Sequence, residues 1–187
     1  AVLDIFLSNS RVPETTEGDF WAGVASMRAG QKRFLSLAEK YGEDAVRFAI
    51  EDYIELGEKI ARQAMADLPK GVFHAQETLE DDLTINAVIT ITDDKFLVDL
   101  RNNPKQSATS SLNASHDSTF VVCMMIFKAI TSPETFGNAG SFRPIEMLVD
   151  TGSMFAAEYP TAVGVYYEAS MLMFDLLWKA LAPAMPE

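Results

Sequence analysis

Apolar residues recur along this chain with two distinct periods. Phe20, Val24, Met27, Phe34, Leu35, Ala38 and Tyr41 fall at mostly helical spacing. Thr16 and Asp19 ahead of them fit a capping box, and Gly42 ends the run. A second helix is predicted over 44–68. Val46, Ile50, Tyr53, Ile54, Ile60 and Met65 supply its apolar side, and Glu51, Glu55, Glu58 and Arg62 its wet side. Two long helices joined by a short glycine turn predict an antiparallel hairpin. Its Met and aromatic residues read as packing residues rather than a cofactor box. Pro69, Lys70 and Gly71 then break the pattern.

Beyond that break the pattern becomes strand-like. Residues 72–79 form one candidate strand, and 87–92 alternates apolar and hydroxyl side chains in Val88, Ile89, Thr90 and Ile91. Asp93 and Asp94 make a natural turn, and 96–100 completes a hairpin. Residues 101–113, rich in Asn, Ser and Thr, read as a loop. Ser115 is placed to cap a helix over about 116–130, whose run 120–127 is apolar on all sides and should be buried. Ser132-Pro133-Glu134 starts a short turn. Residues 145–149 predict a further strand, and about 162–181 a last helix, with Pro183 beyond it. The fold class is therefore α+β: an N-terminal antiparallel helical hairpin over 1–70, then an α+β portion over 71–187. In the latter, a small, mostly antiparallel sheet is covered by two apolar helices. The two portions are expected to pack together.

Composition narrows the function classes. Hydrophobic residues make up 48% of 187, enough for a sizeable core and too many for disorder. Acidic residues outnumber basic ones 27 to 15, a formal charge of -12, so nucleic acid and anionic membrane surfaces are poor partners. Glu77, Glu80, Asp81 and Asp82 concentrate part of that charge in one solvated turn. No apolar run reaches the length of a membrane span. Residues 1–7 are apolar, but Asp4 interrupts them and no basic residue precedes them, so they do not read as a signal peptide. Cys123 is the only cysteine, which precludes an internal disulfide and suits a reducing cytoplasm. Its apolar neighbours mark it as a small buried hydrophobe.

The densest candidate chemistry is Gly137-Asn138-Ala139-Gly140-Ser141-Phe142-Arg143-Pro144-Ile145-Glu146. Gly and Asn tolerate unusual backbone, and Pro144 extends Arg143. A tight polar loop presenting one guanidinium suits a carboxylate or other anion; the alternative is a structural ion pair. Glu168 is the most notable acid, set among apolar neighbours; burial there would raise its pKa and fit it for proton transfer, with Arg143 as partner. The alternative is a solvated stripe of Gly164, Glu168, Asp175 and Lys179, with Asp175 and Lys179 paired four residues apart. Asn9, Arg11 and Glu14 precede a helix start, where anions are favoured, or brace the entry loop. Asp99 either contacts substrate or caps the Asn-rich loop after it. Asn113 and Thr119 either hold a substrate amide or hold a helix start. His74 and His116 lack metal-type spacing, and no Gly-x-x-x-x-Gly-Lys loop or serine–histidine pair stands out.

The order of these pieces resembles the hydantoinase B and 5-oxoprolinase family, which includes the large subunits of acetone and acetophenone carboxylases. The resemblance is carried by residues 9–19 (Asn9-Ser10-Arg11-Val12-Pro13-Glu14 with Gly18-Asp19) and 138–146. Leu68-Pro69-Lys70-Gly71, Val98-Asp99, Asn113 with Thr119, Gly152-Ser153 and Pro160-Thr161-Ala162-Val163 add to it. Val163-Gly164-Val165-Tyr166-Tyr167-Glu168 looks closer to the carboxylase branch, since the hydantoinase branch carries Gly-Asn-Val-Glu-Thr-Ser there. Members are much longer, so the chain looks like an internal piece of a large subunit. The resemblance implies an ATP-dependent hydrolase of hydantoin or oxoproline rings, or a ketone carboxylase, working through a phosphorylated intermediate in the cytoplasm. It implies catalytic roles for Arg143 and Glu168 and substrate contacts for Asn138, Asn113, Asp99 and Arg11. ATP and a divalent metal are expected elsewhere in the complex, with no metal site here. The implied partners are an ATPase subunit of the hydantoinase A type and the remainder of the large subunit. The competing expectation is a non-catalytic assembly module.

Overall fold

The computed structural model describes residues 2–79, 82–109 and 112–185. Among them the order is α1 (Val2–Ser8), α2 (Pro13–Tyr41), α3 (Glu43–Ala66), β1 (Gly71–Thr78), β2 (Thr84–Ile91), β3 (Phe96–Asp99), α4 (His116–Thr131), β4 (Ile145–Leu148) and α5 (Tyr166–Leu181). Short 3-10 turns cover Ala139–Phe142 and Ala182–Ala184. The chain forms two compact units, residues 1–52 and 53–187. The boundary lies inside α3 because its second half buries Gly57, Ala61 and Met65 with the later elements. The break at 68–71 is the turn into β1.

In the second unit the four strands lie in chain order. β1, β2 and β3 pair antiparallel, with Gly71 opposite Ile91 and Val88 opposite Asp99. β4 joins β3 in parallel, Phe96 opposite Ile145, and α4 makes the crossover between them. β2 alternates as a half-buried strand should: Ile85, Ala87, Ile89 and Ile91 are buried, and the residues between them are only partly so. Phe96 and Val98 continue that face. Val122, Cys123, Ile126 and Phe127 of α4 and Met173, Leu176 and Leu177 of α5 complete one core with them. The rings of Phe96 and Phe127 meet edge to face, centroids 5.4 Å apart. This is the expected mostly antiparallel sheet under two apolar helices.

Local details depart from the pattern in physically readable ways. Ser115 caps α4 as expected, its hydroxyl accepting from the Ser118 N–H at 3.2 Å. Cys123 is buried, and desolvation pushes its thiol up to about 12. α5 starts at Tyr166, four residues later than expected, because residues 162–165 belong to the loop tied down below. Lys179 does not pair with Asp175; it reaches β1, donating to the Gln76 carbonyl at 2.9 Å and pairing with Glu77. The rest of the acidic turn includes residues 80–81, outside the described residues.

The first unit contains α1, α2 and the start of α3. α2 begins at Pro13, not behind Thr16. Proline suits a first helical position, and Thr16 instead donates to the Val12 carbonyl at 3.0 Å. Gly42 ends the helix at φ 86, a left-handed value that glycine adopts without strain. The two long helices are present, but α2 buries none of its residues.

Candidate functional site

The glycine-rich bend folds into a clasp on α3. Asn138 caps the 3-10 turn, its Oδ1 accepting from the Gly140 and Ser141 N–H groups at 2.9 and 3.2 Å. Ser141 Oγ accepts in return from the Asn138 N–H at 3.3 Å, closing a capping box. The Asn138 amide also donates to the Tyr53 carbonyl at 2.6 Å. Close approach requires glycine on both sides. A Cβ on Gly140 would stand 1.8 Å from the Ile54 carbonyl oxygen, and one on Gly57 2.1 Å from Asn138 Oδ1. Arg143 closes the clasp at 2.7 Å from Glu58, and Glu58 also accepts from Arg62 at 2.8 Å. Hydrogen bonds from Arg143 and then Arg62 hold the Glu58 carboxyl below its ordinary value.

A different set of residues gathers at the opposite end of the sheet, beyond the carboxyl ends of β3 and β4. There three side-chain amides each pair both the N–H and the C=O of a distant residue, replacing a rung of backbone ladder. Asn103 does so with Asn86, at 2.9 and 2.8 Å. Asn113, fully buried, does so with Ser107, at 3.0 and 2.8 Å, and reaches the Ala162 carbonyl at 3.4 Å. Gln106 does so with Glu158, at 2.7 and 3.2 Å, and donates to Thr161 Oγ1 at 2.6 Å. Thr119 Oγ1 donates to the Phe155 carbonyl at 2.6 Å. Asp99 caps its own loop: it accepts from the Arg101 N–H at 3.0 Å and pairs with that guanidinium at 2.6 Å, which holds its carboxyl below its ordinary value. Asp150 accepts from the N–H of Asn102, whose φ of 63 is one that asparagine tolerates.

These ties frame two clefts that share Lys105. One, of about 660 Å³, is lined by Asn102, Gln106, Asp150, Thr151 and Ser153 among others. The other, of about 790 Å³, adds Thr109, Leu112 and Leu172. Ser153 Oγ is buried and, among the described residues, has no hydrogen-bond partner. The smaller cleft offers amide, hydroxyl and ammonium groups beside the Asp150 carboxylate, and the larger one hydroxyls and the same ammonium against Leu79, Leu83, Leu112, Met154 and Leu172, a lining that can hold a polar amide with an apolar ring. The sequence flagged Asp99 and Asn113 here. Ser153 entered only as part of the resemblance, and Asn103 and Gln106 were missed, their only signal being an amide-rich loop.

Arg143 and Glu168 are not brought together. Arg143 precedes the amino end of β4 and is taken by Glu58, whereas Glu168 lies in the first turn of α5, behind the loop that Gln106 and Asn113 hold. Glu168 is exposed, so the burial expected of it does not occur. Arg11 is exposed just ahead of α2 in the first unit. His74 and His116 are exposed, and among the described residues no three His, Cys, Asp or Glu side chains gather as a metal set.

A family model for hydantoinase B/oxoprolinase matches residues 1–187. The chain belongs to the hydantoinase B/oxoprolinase family. It is 27% identical to the B subunit of a putative D-/L-hydantoinase from Pseudomonas sp. (strain NS671), over 99% of this chain and 34% of that protein. It is 30% identical to an uncharacterized protein of Methanocaldococcus jannaschii, over 100% of this chain and 33% of the other. The crystal structure of the ATP-dependent caprolactamase from Pseudomonas jessenii superposes with a TM-score of 0.79 at 25% identity, over 99% of this chain and 33% of that chain. This hydantoinase B-family chain thus spans about one third of the length of the relatives it matches.

Proposed function

We propose that this chain is part of the large subunit of an ATP-dependent hydrolase that opens a cyclic amide. The observation that carries the reading is end-to-end similarity to a hydantoinase subunit and to a caprolactamase of known structure. Those named relatives favour a ring amide over a ketone, so the carboxylase branch suggested by residues 163–168 takes second place. In the proposed reaction the amide oxygen takes the γ-phosphoryl group and ADP leaves. Water then adds at the activated carbon, the ring C–N bond breaks as nitrogen gains a proton and leaves an acyl phosphate, and a second water releases phosphate to give the carboxylate. The ATPase partner is of the hydantoinase A type, and the nucleotide and metal lie outside this segment. This segment contributes the amide-tied loops and the two clefts that they frame.

The test uses the full-length subunit with its ATPase partner. ADP release is followed with hydantoin, 5-oxoproline, a lactam, acetone and acetophenone, the ketones with bicarbonate. Stimulation by a cyclic amide, matched by ring-opened product, is the expected result. Stimulation by a ketone alone would move the chain to the carboxylases.

The exposed stripe of α2 favours a second reading, in which this segment serves assembly and the chemistry lies elsewhere. Lys105→Ala in the intact complex separates the two. The first reading expects a raised KM for substrate with assembly retained; the second expects unchanged kinetics.

A further inference from the structure

We propose that the smaller cleft, beyond the carboxyl ends of β3 and β4, is a site for a zwitterionic amino acid, the ring-opened product of a cyclic amide. The source of that ligand rests on the function proposed above; the geometry and charge of the site do not. Residues 105 and 153 stand opposite one another in an isolated antiparallel bridge. The hydrogen bonds on either side run from the Met154 N–H to the Pro104 carbonyl at 2.8 Å and from the Gln106 N–H to the Gly152 carbonyl at 2.9 Å. Lys105 and Ser153 are therefore a non-hydrogen-bonded pair, the arrangement that brings two facing side chains closest together. Both line the cleft. Ser153 is 2% exposed, and among the described residues its hydroxyl has no hydrogen-bond partner. A buried hydroxyl is seldom left so, because it has given up water without replacement. A carboxylate seated on the Lys105 ammonium would lie beside it and accept its hydrogen bond.

Asp150 supplies the second charge. It lines the same cleft, and one of its oxygens accepts from the Asn102 N–H at 2.7 Å, which anchors the carboxylate. Among the described residues neither Asp150 nor Lys105 enters an ion pair. Arg101, whose guanidinium feels the Asp150 charge, is bonded through Nε and Nη2 to Asp99. Two unpaired charges of opposite sign in a cleft of about 660 Å³ match a ligand that carries one of each. A simple anion fits less well, since the chain has a formal charge of -12 and a zwitterion adds none to it. Hydrolysis of a lactam makes such a ligand. The carbonyl carbon takes the oxygen of water and ends as a carboxylate, while the ring nitrogen takes both protons and ends as an ammonium. The larger cleft shares Lys105 and sets Leu79, Leu83, Leu112, Met154 and Leu172 beside it, walls suited to the uncharged ring. Lys105 then holds the new carboxylate, and Asp150 the freed ammonium.

The test is a saturation-transfer NMR titration of the full-length subunit with its ATPase partner, nucleotide and ring substrate withheld. The probes are 4-aminobutanoate, 5-aminopentanoate and 6-aminohexanoate, with hexanoate and hexylamine as single-charge controls. At least one amino acid is expected to bind about fivefold more tightly than either control, the upper range for one further exposed charge pair. Lys105→Gln, Asp150→Asn and Ser153→Ala should each remove most of that advantage. Asp150→Asn keeps an acceptor for the Asn102 N–H, and Ser153→Ala removes only an unbonded hydroxyl. Neither should lower the thermal midpoint, which separates lost binding from lost folding. A control that binds as tightly as every amino acid, or full affinity kept in any one variant, would overturn the proposal. The function proposed above is read separately, by ADP release. A cyclic amide that stimulates ADP release while no amino acid binds would remove this inference alone. Amino acids that bind while only ketones stimulate ADP release would overturn the product assignment.

Discussion

Asn113 shows how much one amide side chain can hold. It is fully buried and pairs both backbone groups of Ser107, so truncation removes both of those bonds and leaves a cavity. Asn113→Ala is expected to cost about 2 kcal/mol in urea denaturation. Asn113→Asp should cost more, since it loses the donor and sets a charge against the Ser107 carbonyl. Arg143 is the contrasting case. Its pair with Glu58 is half-exposed, so Arg143→Ala is expected to cost only about 0.5–1 kcal/mol. The sign of its pH dependence follows from Glu58. A carboxyl held below its ordinary value in the fold adds stability that is fully present above the unfolded value. That stability is lost as pH falls through the folded value. Glu58→Gln should therefore flatten the acid side of a plot of urea midpoint against pH, and an unchanged slope would refute the pair's contribution. The sequence showed that the bend was tight and carried a guanidinium. It could not show the partner, because Glu58 is 85 residues away on another helix.

Glycines separate the elements that this chain packs from those it leaves open. At Gly140 an added Cβ strikes backbone, the Ile54 carbonyl, which cannot step aside without moving α3. Gly140→Ala is expected to cost on the order of 2–3 kcal/mol, and Gly57→Ala somewhat less, since Asn138 can swing away at the loss of its bonds. Gly30→Ala should do the opposite in the 187-residue chain, gaining about 0.5–1 kcal/mol, because its Cβ enters open space on a helix. Thermal melts of the three variants would rank them in that order. At this scale the sequence was most legible. Alternation located β2 and β3, and an all-apolar run located α4, since those signals depend on which faces are buried. The start of α2 was less so, because Thr16 offers its hydroxyl to its own preceding turn, where a cap would offer it to the turn ahead.

Across the whole molecule, legibility follows burial. The sheet with α4 and α5 was readable from its apolar pattern because its core is complete within this chain. The first unit reads from sequence as a hairpin because its apolar stripe has the right period, yet α2 has no buried residue. The same dependence on distant partners explains why residues singled out by chemistry alone divide between the two ends of the sheet: loops converge through long-range amide bonds that no local pattern encodes. It also predicts unequal local stability. A helix without buried residues draws little support from tertiary contacts, and isolated helices are marginal in water. In the 187-residue chain, amides of α2 should exchange with deuterium at least about a hundredfold faster than those of β2 and β3, which open only with the core. Equal protection of α2 and β2 would break the link between burial and local stability, since a helix with no buried residue would then be as resistant to opening as the strands of the core.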